Sequence, residues 1–205
     1  MTGDNPTLLY IHGLNSSALS KKATQLTTLM HSLGLQAQVR VPELHHHPRQ
    51  AIGQLNDAIN ALGRPLLVGS SLGGYYATHL AQRHGLKAVL INPAVNPHQL
   101  FDGFLGTQQN LYTGERWELT LDHVQALAEL EVAPPDDPQQ IRVWLQTGDE
   151  TLDYRRAEAF YARCSLDIQD GGDHSYQGFA ARLPQLLAIA GFAPPVLQAI
   201  DLSRL

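Results

Sequence analysis

Residues 65–74 read Pro-Leu-Leu-Val-Gly-Ser-Ser-Leu-Gly-Gly, an apolar run that breaks into serines set between glycines. The apolar stretch predicts a buried strand over 65–69, and the residues after it predict a helix over 72–84 that ends at Gly85. A chain that passes straight from strand to helix turns very tightly. The residue at the apex is forced into a strained conformation that lifts its side chain off the sheet edge. Residues two before and two after the apex then come against neighbouring backbone, where glycine alone fits. This separates two adjacent serines. Ser70 would have Val68 and Leu72 at those positions, both bulky, whereas Ser71 has Gly69 and Gly73. Ser71 is therefore the expected nucleophile. The five-residue pattern is weakly specific alone, and its place between strand and helix gives it weight; a plain glycine-rich turn is the alternative.

The rest of the chain repeats the alternation of strand and helix. Strands are expected at 8–11, 38–41, 87–91, 141–146 and 166–169, and helices at 20–33, 50–62, 121–130, 153–164 and 178–190. Alternation of this kind gives βαβ crossovers and a mostly parallel sheet of about six strands, with helices on both faces. Residues 94–137 are less regular and form the one candidate for a small cap. Residues 191–205, with Pro194-Pro195, read as a tail that does not continue the last helix. A chain of 205 residues fits one domain.

Composition narrows the function classes. The net charge of −5 is spread along the chain, and there is no basic block of the kind that binds nucleic acid or anionic lipid. No apolar stretch approaches the roughly 20 residues of a membrane span. The residues before Leu8 contain no lysine or arginine and do not read as a secretory signal. One cysteine, Cys164, excludes an internal disulfide and suits a reducing compartment. The expectation is a soluble, cytoplasmic protein with no nucleic-acid or membrane partner. Oligomeric state is left open.

In a parallel sheet the ligand site lies at the carboxyl ends of the strands. The residues there form a coherent set: His12-Gly13-Leu14-Asn15, Ser71, Thr147-Gly148-Asp149-Glu150 and Gly171-Gly172-Asp173-His174. A serine hydroxyl needs a base, and the chain order that goes with this turn is serine, acid, histidine. His174 follows the last strand, on a loop to which two glycines are expected to give freedom to reach Ser71. Asp149, directly after its strand, is the expected acid; Asp153, Asp173 and Asp102 are weaker rivals. An oxyanion hole is expected from the N–H groups of Leu72 and Leu14. No metal and no organic cofactor is implied. His45-His46-His47 lack the spacing of metal ligands on one strand or helix and read as a loop near the pocket mouth or a solvated run. Leu100, Phe101, Phe104, Leu105 and Tyr112 are candidates for an apolar acyl site, with structural core as the equal alternative.

On these segments, together with Ile91-Asn92-Pro93-Ala94-Val95, Asp149 to Tyr154 and Gly172 to Tyr176, the sequence resembles the α/β-hydrolase superfamily. Within it, the chain is similar to the YqiA-type small bacterial esterases, from about Leu8 to Ala190. The resemblance implies an α/β-hydrolase fold without a large lid, acting on short acyl esters or thioesters, with Ser71, Asp149 and His174 as its triad. The same triad would serve an amidase. A catalytically silent binding module would be expected to lack one of the three, and all are present.

Overall fold

A computed structural model describes residues 5–137, 139–203 and 205. In chain order the elements are β1 (Leu8–Ile11), α1 (Lys21–Ser32), β2 (Val39–Arg40), α2 (Pro48–Leu62), β3 (Leu66–Ser70), α3 (Leu72–His84), β4 (Ala88–Ile91), β5 (Gly106–Gln109), β6 (Arg116–Leu119), α4 (Leu121–Ala128), β7 (Ile141–Gln146), α5 (Tyr154–Phe160), β8 (Ser165–Gln169), α6 (Phe179–Ala190) and α7 (Pro194–Gln198). Six strands form one parallel sheet in the order β2-β1-β3-β4-β7-β8.

The strands of the sheet centre are apolar on both faces because both faces are covered. Side chains alternate across a strand, so β1 sends Leu9 and Ile11 one way and Leu8 and Tyr10 the other. The first pair packs in a cluster with Leu55 of α2 and Tyr75, Tyr76 and Leu80 of α3. The second joins Leu26 and Met30 of α1 with Phe179, Leu183 and Leu187 of α6.

The expected strands and helices all form, with ends shifted by a few residues. The second strand shrinks to Val39–Arg40, since Gln36–Gln38 coil into a 3₁₀ turn before it. α5 stops at Phe160, four residues short of the expected end. Within residues 94–137 the sequence reading missed the antiparallel pair β5–β6. β6 does alternate, with Trp117 and Leu119 buried between exposed Arg116 and Glu118, but each strand has only four residues and β5 reads Gly-Thr-Gln-Gln with no large apolar residue, so the pair lacks the apolar run that marks the other strands. Beyond Gly191 the chain turns and forms the short α7. Val196, Leu197 and Ile200 pack against the α1–α6 cluster.

Candidate active site

β3 runs into α3 through Ser71, whose backbone lies at φ 56° and ψ −123°. This left-handed conformation is unfavourable for a residue with a Cβ and persists where its surroundings enforce it. Here the Ser71 N–H donates to the Ile91 carbonyl at 3.1 Å, and the Ser71 carbonyl accepts from Gly74 and Ala94 at 2.9 and 3.0 Å. The flanking glycines are steric necessities. A Cβ on Gly73 would overlap the Ile11 carbonyl oxygen and meet that of His12 at 2.6 Å, and one on Gly69 would overlap the Gly73 carbonyl.

The strand-end residues separated by up to 103 positions converge on this turn. His174 Nε2 stands 3.0 Å from Ser71 Oγ. His174 Nδ1 lies 2.9 and 2.8 Å from the two oxygens of Asp149. A carboxylate on Nδ1 selects the tautomer with the proton there, leaving Nε2 free to accept from the serine hydroxyl. The Asp149 side chain is 2% exposed, and its Oδ1 also accepts from the Thr151 and Leu152 N–H groups at 2.9 and 2.8 Å. These donors hold the acid in place after β7.

Two of the rival acids are engaged elsewhere. Asp153 is the N-cap of α5, its carboxylate accepting from the Arg155 N–H at 3.1 Å. Asp173 accepts from the Gln177 side chain at 3.1 Å. The side chain of Asp102 lies outside the described residues.

Leu72 is the first residue of α3, where helix N–H groups lack intrahelical acceptors. The loop after β1 lies against Ser71 from the other side: a Cβ on Gly13 would meet Ser71 Cβ at 3.1 Å and Oγ at 3.5 Å. Leu14 follows directly in that loop, and its N–H has no acceptor among the described residues. His12 is 4% exposed and braces the loop. Its Nε2 accepts from the Leu44 N–H at 3.2 Å, and its Nδ1–H faces the Gly13 carbonyl at 3.1 Å. Burial lowers the His12 pKa and favours this neutral form.

Three expectations are corrected. First, Gly171 and Gly172 do not free the histidine loop. Both lie at φ 74°, the Gly148 N–H donates to the Gly171 carbonyl at 2.8 Å, and Gly172 is pressed on the Gln146 carboxamide. The glycines permit a tight fixed turn. Second, of the expected acyl-site residues, Tyr112 alone borders the 220 Å³ cleft at Ser71 and His174, joined there by Leu111. Phe104 and Leu105 are exposed, Phe101 packs on the core, and Leu100 borders a separate cavity with Pro93 and Leu152. The chain there turns outward into the hairpin. Third, of the two readings of the histidine run the solvated one is corrected: the three residues are half-buried in a loop, and His45 and His46 border a cavity with Gly13, Leu14 and Leu72. His46 stacks on Trp117 with ring centroids 4.7 Å apart, and its Nδ1 lies 3.1 Å from His123 Nε2. His47 caps α2 and reaches Asp122 at 2.8 Å. Among the described residues no group of three or more His, Cys, Asp or Glu is arranged to hold a metal.

Sequence reasoning missed two residues that fix the histidine loop. Asn92, 2% exposed, donates to the carbonyls of Asp173 and His174 at 3.0 and 3.3 Å and accepts from the Gln146 N–H at 3.0 Å. Gln146 Oε1 accepts from the N–H groups of Asp173 and Gln177 at 3.2 and 2.8 Å. The available signal was a polar amide at the end of each of two buried apolar strands, since a buried amide is retained where it has partners to satisfy.

Comparison with known proteins gives one family and one fold. A family model described as "Uncharacterised protein family (UPF0227)" matches residues 7–191. A UPF0227 protein of Shewanella baltica is 28% identical over 125 residues, covering 60% of this chain and 64% of that protein's length. The structure resembles mouse alpha/beta hydrolase domain-containing protein 10, with a TM-score of 0.70 at 16% identity over 92% of each chain. It also resembles Est1E from Butyrivibrio proteoclasticus with ferulic acid bound, with a TM-score of 0.65 at 15% identity over 91% of this chain and 87% of that one. The fold is that of an α/β-hydrolase without a large lid.

Proposed function

The chain belongs to the UPF0227 family, and on the geometry at its strand ends we propose that it is a serine hydrolase that cleaves short-chain carboxylic esters. The observation that carries this reading is the line of contacts from Asp149 through His174 to Ser71 Oγ at the strained turn. A structural neighbour described as the esterase domain of a Rhodothermus marinus protein supports it by analogy of fold.

In this reading Ser71 Oγ attacks the ester carbon while His174 Nε2 takes its proton. Asp149 orients the ring and stabilises the imidazolium. The N–H groups of Leu14 and Leu72 receive the oxyanion, and loss of one such donor lowers kcat by about 100- to 1,000-fold. His174 returns the proton to the departing alcohol, and water repeats the sequence on the acyl-serine. Residues 94–137 act as a small cap whose hairpin tip, Leu111 and Tyr112, overhangs the cleft.

Fluorophosphonate labelling with peptide mapping tests the proposal. A single adduct on Ser71 that falls sharply in His174→Ala is expected. Absence of an adduct on the folded protein overturns it in favour of a binding module. Parallel assays on oxygen esters, thioesters and amides then assign the leaving group; a preference for either of the latter two would correct the ester assignment.

A further inference from the structure

The cleft that holds Ser71 and His174 has a second polar feature that the proposed acyl transfer does not use: the first turn of α1. Ser20, Lys21 and Lys22 border the cleft together with the triad residues. Ser20 is the N-cap of α1, yet its side chain makes no capping bond. It is 8% exposed, and its Oγ, though near the Tyr10 hydroxyl, makes no hydrogen bond of good geometry among the described residues. A buried hydroxyl left without a partner is uncommon and points to a group that completes it. The N–H groups of Lys21, Lys22 and Ala23 are the free donors of the helix start, and the helix dipole makes that end attractive to negative charge.

Lys22 adds a full charge. Its Nζ donates to the Ser175 carbonyl at 2.8 Å, and it forms no ion pair among the described residues. Asp173 and Asp149 act on it through space, as does Lys21 with the opposite sign. Its desolvation lowers the pKa to about 8, so the ammonium is held at some expense. A half-buried cation without a paired carboxylate, beside a bare helix N-terminus and an unpartnered hydroxyl, is a receptor for an anion.

We propose that the first turn of α1, with Ser20 and Lys22, binds an anionic oxygen group, phosphate or carboxylate, on the alcohol arm of the ester. The inference rests on the hydrolase reading. The arm follows from the chemistry: the departing oxygen takes its proton from His174 Nε2, so the alcohol leaves across His174, and Lys22 is anchored on the next residue, Ser175. The acyl–oxygen bond breaks, the alcohol departs with the His174 proton and its anion still at Lys22, and water releases the acid from Ser71.

The test compares 2-acetoxyethyl phosphate and 3-acetoxypropanoate with neutral 2-acetoxyethanol. A charge-assisted contact strengthens binding by roughly 1.5–3 kcal/mol, which is at least about tenfold in affinity. At least one anionic ester is therefore expected to exceed the neutral one about tenfold in kcat/KM, mainly through KM, and which one does identifies the anion. Ser20→Asp places a carboxylate in the site while remaining a good N-cap, and should bring the ratio close to one. Lys22→Met should do the same, and Lys22→Arg should retain the preference. The ratio should also fade above pH 8 as Lys22 loses its proton. Equal turnover of all three esters overturns the subsite. So does Lys22→Met slowing charged and neutral esters alike, which is the outcome if Lys22 merely braces the Ser175 loop. Inorganic phosphate and propanoate, each titrated onto Ser71→Ala, separate the two failures. Binding of either that is lost in Ser71→Ala/Ser20→Asp sustains the subsite even if no ester is turned over and Ser71 takes no phosphonate; binding of neither to Ser71→Ala overturns it whatever the enzyme hydrolyses.

Discussion

Asp149 and Gly172 show how much of the site is decided by single atoms. Replacing Asp149 by asparagine keeps an oxygen for the Thr151 and Leu152 N–H groups but removes the charge that faces His174 Nδ1. The loop should stay folded while the imidazole takes the wrong tautomer, and kcat on a short acyl ester should fall by about 10⁴-fold with an unchanged circular dichroism spectrum. Gly171 and Gly172 provide a matched pair. Both have φ 74°, but a Cβ on Gly171 meets nothing within 4 Å, whereas one on Gly172 overlaps the Gln146 carboxamide. Gly171→Ala should lose about 1–2 kcal/mol in urea unfolding, the penalty of a left-handed residue. Gly172→Ala should lose more and should also lower kcat, because Gln146 holds the N–H groups of Asp173 and Gln177 around His174.

At the scale of elements, α4 is fastened to the start of α2 by histidines. The Thr120 N–H donates to His123 Nδ1 at 3.3 Å, which leaves the His123 proton on Nε2, 3.1 Å from His46 Nδ1. Arg49 of α2 joins the same contact through Asp122 and Glu129, both at 2.9 Å. Burial, with the nearby His47 and His46, lowers the His123 pKa from 6.5 to about 4. The folded state therefore favours the neutral ring, and the unfolded state takes up the proton first. The stabilisation is complete above pH 6.5 and is lost as pH falls through that value toward 4. Melting temperature should decline over this interval, and His123→Gln, which has no proton to gain, should flatten the decline. The hairpin β5–β6 is fastened on its other side to the Leu14 loop. Asn15, at φ 54°, accepts from Trp117 Nε1 at 2.9 Å, and its carbonyl accepts from the Leu111 N–H at 2.9 Å. One element thus shapes the cleft mouth and steadies the proposed oxyanion loop.

Across the whole molecule, the sheet divides two apolar clusters, and the proposed catalytic residues all stand at one end of it. The end of the chain serves the α1–α6 side: Val196, Leu197, Ile200 and Leu205 pack there, beyond the last residue matched by the family model. Removing residues 193–205 would uncover apolar surface on α1 and α6, on the side of the sheet away from α3. Melting temperature should fall by several degrees, since about 1 kcal/mol shifts a domain of this size by roughly 2–4 °C. Labelling of Ser71 by the phosphonate below the transition should continue at the full-length rate.

The sequence by itself determined the alternation of β and α, the parallel sheet, the choice of Ser71 over Ser70, and the loops that carry Asp149 and His174. Each of these is written in local pattern: apolar runs of strand length, helical periodicity, and glycines where neighbouring backbone leaves no room for a Cβ. The tertiary structure alone decided what depends on partners distant in the chain. Asn92 and Gln146 look like ordinary polar residues at strand ends until β4, β7 and the His174 loop lie side by side. In the β5–β6 hairpin β5 offers no apolar residue to pair with the Trp117 and Leu119 face of β6, and the hairpin is tied in place by Asn15, about 100 residues earlier in the chain. Ser20 and Lys22 read as the ordinary start of an amphipathic helix. Their meaning comes from β1 and the His174 loop, which fold around that helix end and close it into the same cleft as Ser71.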